Sequence, residues 1–138
     1  MELKALGQHL LVELNDCDAA VLDDLATVRQ TMLDAARTVC ATVIGVTEHR
    51  FVPQGVTVVV VIAESHLSIH TWPEHGYAAV DVFTCGDGLH TPTVIDLLTE
   101  RLKAGHVSAL EVQRGLIPER AGHQSGPQLV LASRLSRG

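Results

Sequence analysis

The chain has 138 residues, of which 46% are apolar and 19% charged, so it fits one folded domain and is too apolar to be disordered. Its formal net charge is −6 with only ten Lys and Arg residues, which argues against a nucleic-acid partner because phosphate binding needs clustered basic residues. The sequence shows no signal-peptide pattern and no apolar run of membrane-spanning length, and its three cysteines form no CxxC pair. We therefore expect a cytoplasmic protein with no membrane partner and no disulfide framework.

The first half of the chain predicts three strands and one helix. Gln8 to Leu14 is a short apolar run typical of a strand. Asp18 is a favourable N-cap, and apolar residues then recur at steps of three and four up to Val39, which predicts one amphipathic helix of about five to six turns. Thr42 to Thr47 predicts a second strand, and the almost unbroken β-branched run from Val56 to Ser65 predicts a third, central one.

The next part of the chain is also strand-like. Leu67 and Ile69 alternate with polar residues, so either the strand continues or a new one begins there. A turn is predicted at residues 72–76. Tyr77 to Cys85 alternates again, and its second, more polar face carries Tyr77, Asp81, Phe83 and Cys85.

A helix and a strand are predicted to complete the domain. The helix begins with Thr91 as its cap and Pro92 at its first position, and Gly105 ends it. Val107 to Val112 is the last strand. We assign residues 1–115 to a single domain and 116–138 to a poorly ordered tail with one short element at Gln128 to Leu131.

These elements predict an α+β fold. Four successive strands joined by tight turns form a largely antiparallel sheet, because parallel neighbours need long crossovers. Two amphipathic helices can cover only one face of that sheet. The other face is too apolar for water, notably along Val56 to Ala63, so we expect it to pack on a second copy as an αββα sandwich.

Polar and ionisable side chains are most concentrated between Glu64 and Glu74. Eleven positions hold two carboxylates, two histidines, three hydroxyls and the only tryptophan, and they directly follow the most apolar strand. Residue types alone leave three interpretations open. The histidines could be ordinary polar residues of an exposed sheet face, Cys85 could be the nucleophile of a Cys-His hydrolase, or a metal could bind to His66, His70, His75 and Cys85. The metal site is disfavoured because His66 and His70 would lie roughly 13 Å apart along a strand.

The same stretch carries a family resemblance. Residues 61–74 (VIAESHLSIHTWPE) and 76–86 (GYAAVDVFTCG) resemble the signature of prokaryotic S-adenosylmethionine decarboxylase proenzymes, which are pyruvoyl-dependent and self-processing. Weaker similarity covers roughly residues 5 to 115. It includes Leu6-Gly7, His9-Leu10, Cys17, His49-Arg50-Phe51, Pro53 and Gly55.

The resemblance implies self-cleavage between Glu64 and Ser65, giving fragments 1–64 and 65–138. The Ser65 hydroxyl would attack the preceding carbonyl to form an ester, and β-elimination and hydrolysis would convert Ser65 into a pyruvoyl cofactor. His70 matches the base that removes the α-proton. The pyruvoyl group would then form a Schiff base with the substrate amine and accept electrons as carbon dioxide leaves.

Other site residues follow from the same resemblance. Cys85 matches the proton donor of the decarboxylation, Phe51 and Glu74 match positions that hold the nucleoside, and Thr57 matches a hydroxyl residue that assists processing. The family often has aromatic residues near Leu14, Gln54 and His75, which this chain lacks.

The resemblance implies a homodimer with shared active sites, in which Phe51 reaches the pyruvoyl group of the partner, and a small-molecule substrate. S-adenosylmethionine is the first candidate, as the precursor of the aminopropyl donor for spermidine synthesis. The missing aromatics keep open a basic amino acid such as arginine or ornithine. A homologous binding protein that never processes is a third hypothesis.

Overall fold

The computed structural model describes residues 5–86, 89–117 and 134–137, the last four by their backbone alone. They form one seven-stranded sheet in the order β2-β3-β4-β5-β1-β6-β7, with every neighbouring pair antiparallel. The strands are β1 (Ala5–Asn15), β2 (Val43–Arg50), β3 (Val56–Ile62), β4 (Ser65–Trp72), β5 (Tyr77–Cys85), β6 (His106–Leu116) and β7 (Arg134–Arg137). The helices are α1 (Ala19–Leu22), α2 (Leu25–Thr38) and α3 (Thr91–Leu102), so the predicted α+β class is confirmed.

The core lies between one face of the sheet and the helices. Alternate residues of the central strands, such as Val58, Ile69 and Val80, are fully or almost fully buried there. They pack with the apolar stripes of α2 and α3, which include Val28, Met32, Val94, Leu98 and Leu102. The inward-facing residues, which alternate along each strand, therefore pack against the apolar stripes of the helices in a single core layer.

The long helix predicted from Asp18 to Val39 is wrong in one respect, because the structure divides it into α1 and α2. Asp18 caps α1 as predicted, accepting a hydrogen bond from the Val21 amide at 3.1 Å. Asp24 then starts α2 as a new N-cap, bonding the Ala26 amide at 3.2 Å and the Thr27 hydroxyl at 2.8 Å. An Asp competes for backbone N–H groups, so it favours a cap over a helix interior.

Both predicted ends of the later helix differ from the structure. His90 is the N-cap of α3 and Thr91 its first helical residue, and the Thr91 hydroxyl donates to Glu111 instead, at 3.1 Å. The helix ends at Leu102 because Lys103 adopts a left-handed conformation with φ 54°, two residues before the predicted stop at Gly105.

The run predicted as one strand to Ser65 instead turns at residues 63–64, and β4 starts at Ser65. The strand predicted from Tyr77 to Cys85 is confirmed, with its inner residues buried. Strand β7 falls in the segment expected to be a tail, and the element predicted at 128–131 lies outside the described residues. None of the helices in the described part of the chain has the length and apolar character to cross a membrane.

The sheet face turned away from the helices is called the open face. Its described side chains include a row across four strands, Val59, Ser68, Asp81 and Leu11, with the rows of His70 and Phe83 on either side. Val61 on this face is 42% exposed, and Val59, Phe83 and Leu11 are only half-buried. The open face thus presents apolar side chains mixed with histidines and carboxylates.

Candidate active site

A tight hairpin places the predicted cleavage bond at the tip of two buried strands. Ile62 of β3 pairs with Ser65 of β4, so only Ala63 and Glu64 form the loop. Glu64 has φ 67°, a left-handed conformation that favours glycine and costs an L-residue of order 1–2 kcal/mol. The residue that contributes the carbonyl of the predicted cleavage bond is therefore held in a strained backbone.

Three of the predicted residues meet at this hairpin. The Ser65 hydroxyl donates a hydrogen bond to the backbone carbonyl of Phe83 on the neighbouring strand. The Cys85 thiol donates to the carbonyl oxygen of Glu64 at 3.2 Å. Cys85 is exposed and contacts this carbonyl, so it is not part of the buried core. Glu64, Ser65 and Cys85 are called the cleavage end.

A second group of predicted residues surrounds His70. Thr57 of β3 lies directly opposite His70 of β4, and the Thr57 hydroxyl oxygen is 2.8 Å from His70 Nδ1. This hydrogen bond occupies Nδ1 and fixes the ring of the exposed His70, so Nε2 is the nitrogen left for proton transfer. The arrangement suits a base whose reactive nitrogen is presented to a bound molecule.

The Thr57–His70 pair forms part of a pocket at the opposite end of β4. The cavity has a volume of about 320 Å³, and its lining residues are Phe51, Gln54, Thr57, His70, Thr71, Trp72 and Glu74. Glu74 projects from the short 3₁₀ turn Pro73–His75, so its position follows from the predicted turn. Phe51, Thr57, His70, Trp72 and Glu74 are called the pocket end.

Trp72 is held by its neighbour on β5. The rings of Trp72 and Tyr77 stack with centroids 5.4 Å apart, and the Tyr77 hydroxyl donates to Glu13 at 2.6 Å. Burial, together with this bond to a carboxylate, raises the pKa of Tyr77 to about 12. Tyr77 therefore keeps its proton to higher pH than an ordinary tyrosine, and its bonded ring supports Trp72 in the pocket wall.

The two groups of predicted residues do not meet within one chain. Ser65 and His70 are five residues apart on the same extended strand, which separates them by about 16 Å. Both Cys85 and His70 nevertheless lie on the open face. A base at His70 can act on Ser65 of its own chain only if the chain rearranges, whereas a second copy could bring the two ends together.

Between the two ends lies a histidine–carboxylate hydrogen bond that the sequence pattern did not single out. His9 Nε2 is 3.0 Å from Asp81 Oδ1, and the Ser68 hydroxyl contacts the other Asp81 oxygen at 3.5 Å. These residues lie on three adjacent strands, so only knowledge of the strand register would have joined them.

Phe83 separates the His9–Asp81 contact from the cleavage end. The Arg114 guanidinium lies 4.4 Å from the centre of the Phe83 ring, a cation–π contact. Phe83 extends over Gly7 of β1, where an added Cβ would lie only 2.8 Å from the ring. A positive charge is therefore held two residues from Cys85 along β5.

Among residues 5–86 and 89–117, no group of three or more His, Cys, Asp or Glu side chains is arranged to hold a metal ion. His66 and His70 both lie on strand β4, four residues apart, which is too far for the two side chains to bind one metal ion.

A family model and the sequence relatives of this chain all point to the same family. A model of the S-adenosylmethionine decarboxylase family matches residues 8–115. The chain is 51% identical over 117 residues to the S-adenosylmethionine decarboxylase proenzyme of Acetivibrio thermocellus, covering 85% of this chain and 94% of that protein. It is 46% identical over 128 residues to the proenzyme of that name from Thermotoga maritima, covering 89% and 98%.

A solved structure agrees with these sequence relatives. The crystal structure of the adenosylmethionine decarboxylase of Aquifex aeolicus superposes with a TM-score of 0.76 at 38% identity, covering 88% of this chain and 99% of that one. The sequence and the fold of this chain therefore both match the same group of enzymes. The protein belongs to the S-adenosylmethionine decarboxylase family.

Proposed function

We propose that this protein cuts itself between Glu64 and Ser65 and then decarboxylates S-adenosylmethionine. The observation that carries the proposal is the contact at the cleavage end, where the Cys85 thiol donates to the Glu64 carbonyl beside the Ser65 hydroxyl. The relatives' names support both parts, because they are called proenzymes and decarboxylases of S-adenosylmethionine.

The cleavage would use the chain's own groups. Ser65 Oγ attacks the carbonyl carbon of Glu64, its proton passes to the departing Ser65 nitrogen, and an ester replaces the peptide bond. The Cys85 S–H stabilises the negative charge that develops on the Glu64 oxygen. The left-handed backbone of Glu64 favours this step because breaking the peptide releases its strain.

The second stage would break the ester without a protease. A base removes the α-proton of Ser65, the electron pair forms a carbon–carbon double bond, and the Glu64 carboxylate leaves. Water then hydrolyses the resulting enamine, through its imine tautomer, to a ketone and ammonia, which makes residue 65 a pyruvoyl group. His70 is the proposed base, since Thr57 orients its ring at 2.8 Å.

The residues around Ser65 fit a pyruvoyl group formed there. Ser65 is the first residue of β4, next to the Phe83 carbonyl, so the new chain end would stay fixed by the sheet. When present, the group supplies a carbonyl that accepts electrons from the bond to the departing carbon dioxide. Cys85 remains beside it as the proton donor for the product carbon, and Phe51 and Glu74 bind the nucleoside.

We further propose a homodimer in which each active site combines the cleavage end of one copy with the pocket end of the other. Two open faces stacked about 10 Å apart would bury the half-exposed Val59, Val61 and Leu11. A twofold axis between the sheets, perpendicular to the strands, reverses one copy along β4. An axis near residues 67–68 would then set the Ser65 end of each β4 against the His70 end of the second copy's β4. The two sites of the dimer would lie about 16 Å apart along the strand.

The pocket favours a nucleoside over a basic amino acid. Its lining includes two aromatic rings, Phe51 and Trp72, which suit a flat base. Glu74 is its one carboxylate, a match for two vicinal ribose hydroxyls. No observation on the described residues favours arginine or ornithine.

Mass spectrometry and a decarboxylation assay test this function together. The purified protein should give two fragments divided after Glu64, the second beginning with pyruvoyl. It should release carbon dioxide from carboxyl-labelled S-adenosylmethionine and not from labelled arginine or ornithine. An uncut chain that binds S-adenosylmethionine without releasing carbon dioxide would establish a binding protein instead.

A further inference from the structure

The loop between β2 and β3 contributes two neighbouring side chains to the pocket. Phe51 and Gln54 both line the cavity, and the Phe51 amide donates to the Gly55 carbonyl at 2.8 Å, which closes the loop around them. The two residues therefore approach the same bound molecule from one loop. The role of Phe51 is proposed above, whereas Gln54 has none so far.

The position of this loop is fixed from the helix side. Asp23, between α1 and α2, accepts the Gly55 amide at 2.9 Å and the Arg50 guanidinium at 3.4 Å, one with each carboxylate oxygen. Residues 50 and 55 flank the loop, so one carboxylate anchors both of its ends. Gln54 is exposed on a loop of fixed geometry, which suits recognition more than packing.

The chemistry of Gln54 differs from that of the other polar groups in the pocket. Glu74 carries a negative charge, and Thr57 is bonded to His70. A carboxamide presents one acceptor and one pair of donors side by side. An adenine edge is complementary to this pattern, because its 6-amino group donates and its N7 accepts, the pairing that Gln makes with adenine in nucleic-acid complexes.

We propose that Gln54 determines base specificity by pairing with the 6-amino and N7 edge of the substrate's adenine. The inference rests on the proposed function, since it needs a nucleoside in this pocket. A base stacked on Phe51 would direct its edge along the loop to Gln54, while Glu74 holds the ribose. The aromatic rings bind any flat base, so discrimination falls to this carboxamide.

The test compares two substrates on the processed enzyme, S-adenosylmethionine and its analogue with hydrogen in place of the 6-amino group. The wild-type enzyme should prefer the amino substrate by about tenfold or more in kcat/KM, because the analogue leaves one hydrogen bond unmade. Gln54→Ala and the length-preserving Gln54→Met should use both substrates nearly equally. Their loss on the natural substrate should appear in KM, with kcat little changed.

Gln30→Ala is the matched control, since Gln30 is an exposed glutamine on α2 whose side chain bonds to Asp34 at 2.9 Å and does not line the pocket. It should keep the wild-type preference. If Gln54→Ala and Gln54→Met lower kcat/KM for both substrates by the same factor, Gln54 has a structural role and the inference is wrong. A wild-type enzyme that turns over neither substrate would overturn the proposed function itself, and base recognition with it.

Discussion

The Cys85 thiol, at the end of β5, donates a hydrogen bond of 3.2 Å to the carbonyl oxygen of Glu64 in the β3–β4 hairpin. This carbonyl is the one that Ser65 must attack for the chain to be cut. The residue proposed as proton donor for the decarboxylation therefore contacts the predicted cleavage bond while the chain is still intact. The two stages of the proposed chemistry share one side chain.

Cys85→Ala should accordingly affect both stages by different amounts. Decarboxylation should fall about a hundredfold or more, because a positioned proton donor typically contributes that much. Cleavage should slow by about tenfold, since a thiol is a weak donor to a developing oxyanion. Mass spectrometry of samples quenched at successive times gives the cleavage rate. Release of labelled carbon dioxide from the substrate gives the turnover rate. Cys40→Ala, an exposed cysteine far from the hairpin in sequence, should change neither rate.

Ser65→Ala should remain a single chain of 138 residues, because without the hydroxyl there is no attacking oxygen. Ser68→Ala serves as the control, since Ser68 lies on the same strand and its hydroxyl contacts Asp81 at 3.5 Å instead of the cleavage bond. It should cut normally, as seen by mass spectrometry. Cutting of Ser65→Ala at the same bond would assign the cleavage to a contaminating protease.

Glu64→Gly should slow cleavage, because glycine adopts φ 67° at little cost and the strain is lost. Removing about 1 kcal/mol of ground-state strain corresponds to a rate about fivefold lower. Lys103→Gly relieves a similar left-handed residue, φ 54°, at the end of α3. It should stabilise the fold, measured by urea unfolding of the uncut protein, and leave the cleavage rate unchanged. An unchanged rate in Glu64→Gly would show that the strain does not drive the reaction.

His70→Ala should stop maturation after the ester has formed. Hydroxylamine attacks esters far faster than amides, so it should split the stalled protein after residue 64. Thr57→Val, which removes the 2.8 Å bond to His70, should slow ester breakdown by about tenfold, and Thr57→Ser should restore it. A His70→Ala chain that resists hydroxylamine would place His70 at an earlier step or in a structural role.

Mixed dimers should reveal the shared site. Ser65→Ala chains keep an intact pocket end, and Phe51→Ala chains keep an intact cleavage end. Co-expressed, they should form one complete site per mixed dimer and exceed the sum of the two parents in activity. Light scattering should give the mass of two chains. A fully active monomer at micromolar concentration, or a mixture no better than its parents, would rule out the shared site.

Sequence patterns predicted the sheet because its signal is local. The alternation from Tyr77 to Cys85 gave the strand and both of its faces, and the structure confirms them. The break at Asp24 was missed because two consecutive Asp residues do not disturb the apolar period around them. The turn after Ile62 was hidden for a similar reason, since neither Ala63 nor Glu64 is a typical turn residue.

The site was harder to predict because its geometry depends on register. The resemblance named Ser65, His70 and Cys85 together, yet spacing along an extended strand keeps Ser65 and His70 about 16 Å apart. The His9–Asp81 pair spans 72 positions of sequence and becomes visible only when β1 lies beside β5. Contacts between residues this far apart in the chain cannot be predicted from the hydrophobic pattern of either segment.

The strand order has a consequence for what happens after the chain is cut. Strands β1, β2 and β3 come before the cut and β4 to β7 after it, yet β1 lies between β5 and β6. The two fragments are therefore interleaved, and they meet along the β3–β4, β5–β1 and β1–β6 borders. They can separate only by opening all three ladders at once. Two separated fragments would have to meet again in solution to rebuild the sheet. Synthesis as one chain avoids this step, because the sheet can form before the chain is cut.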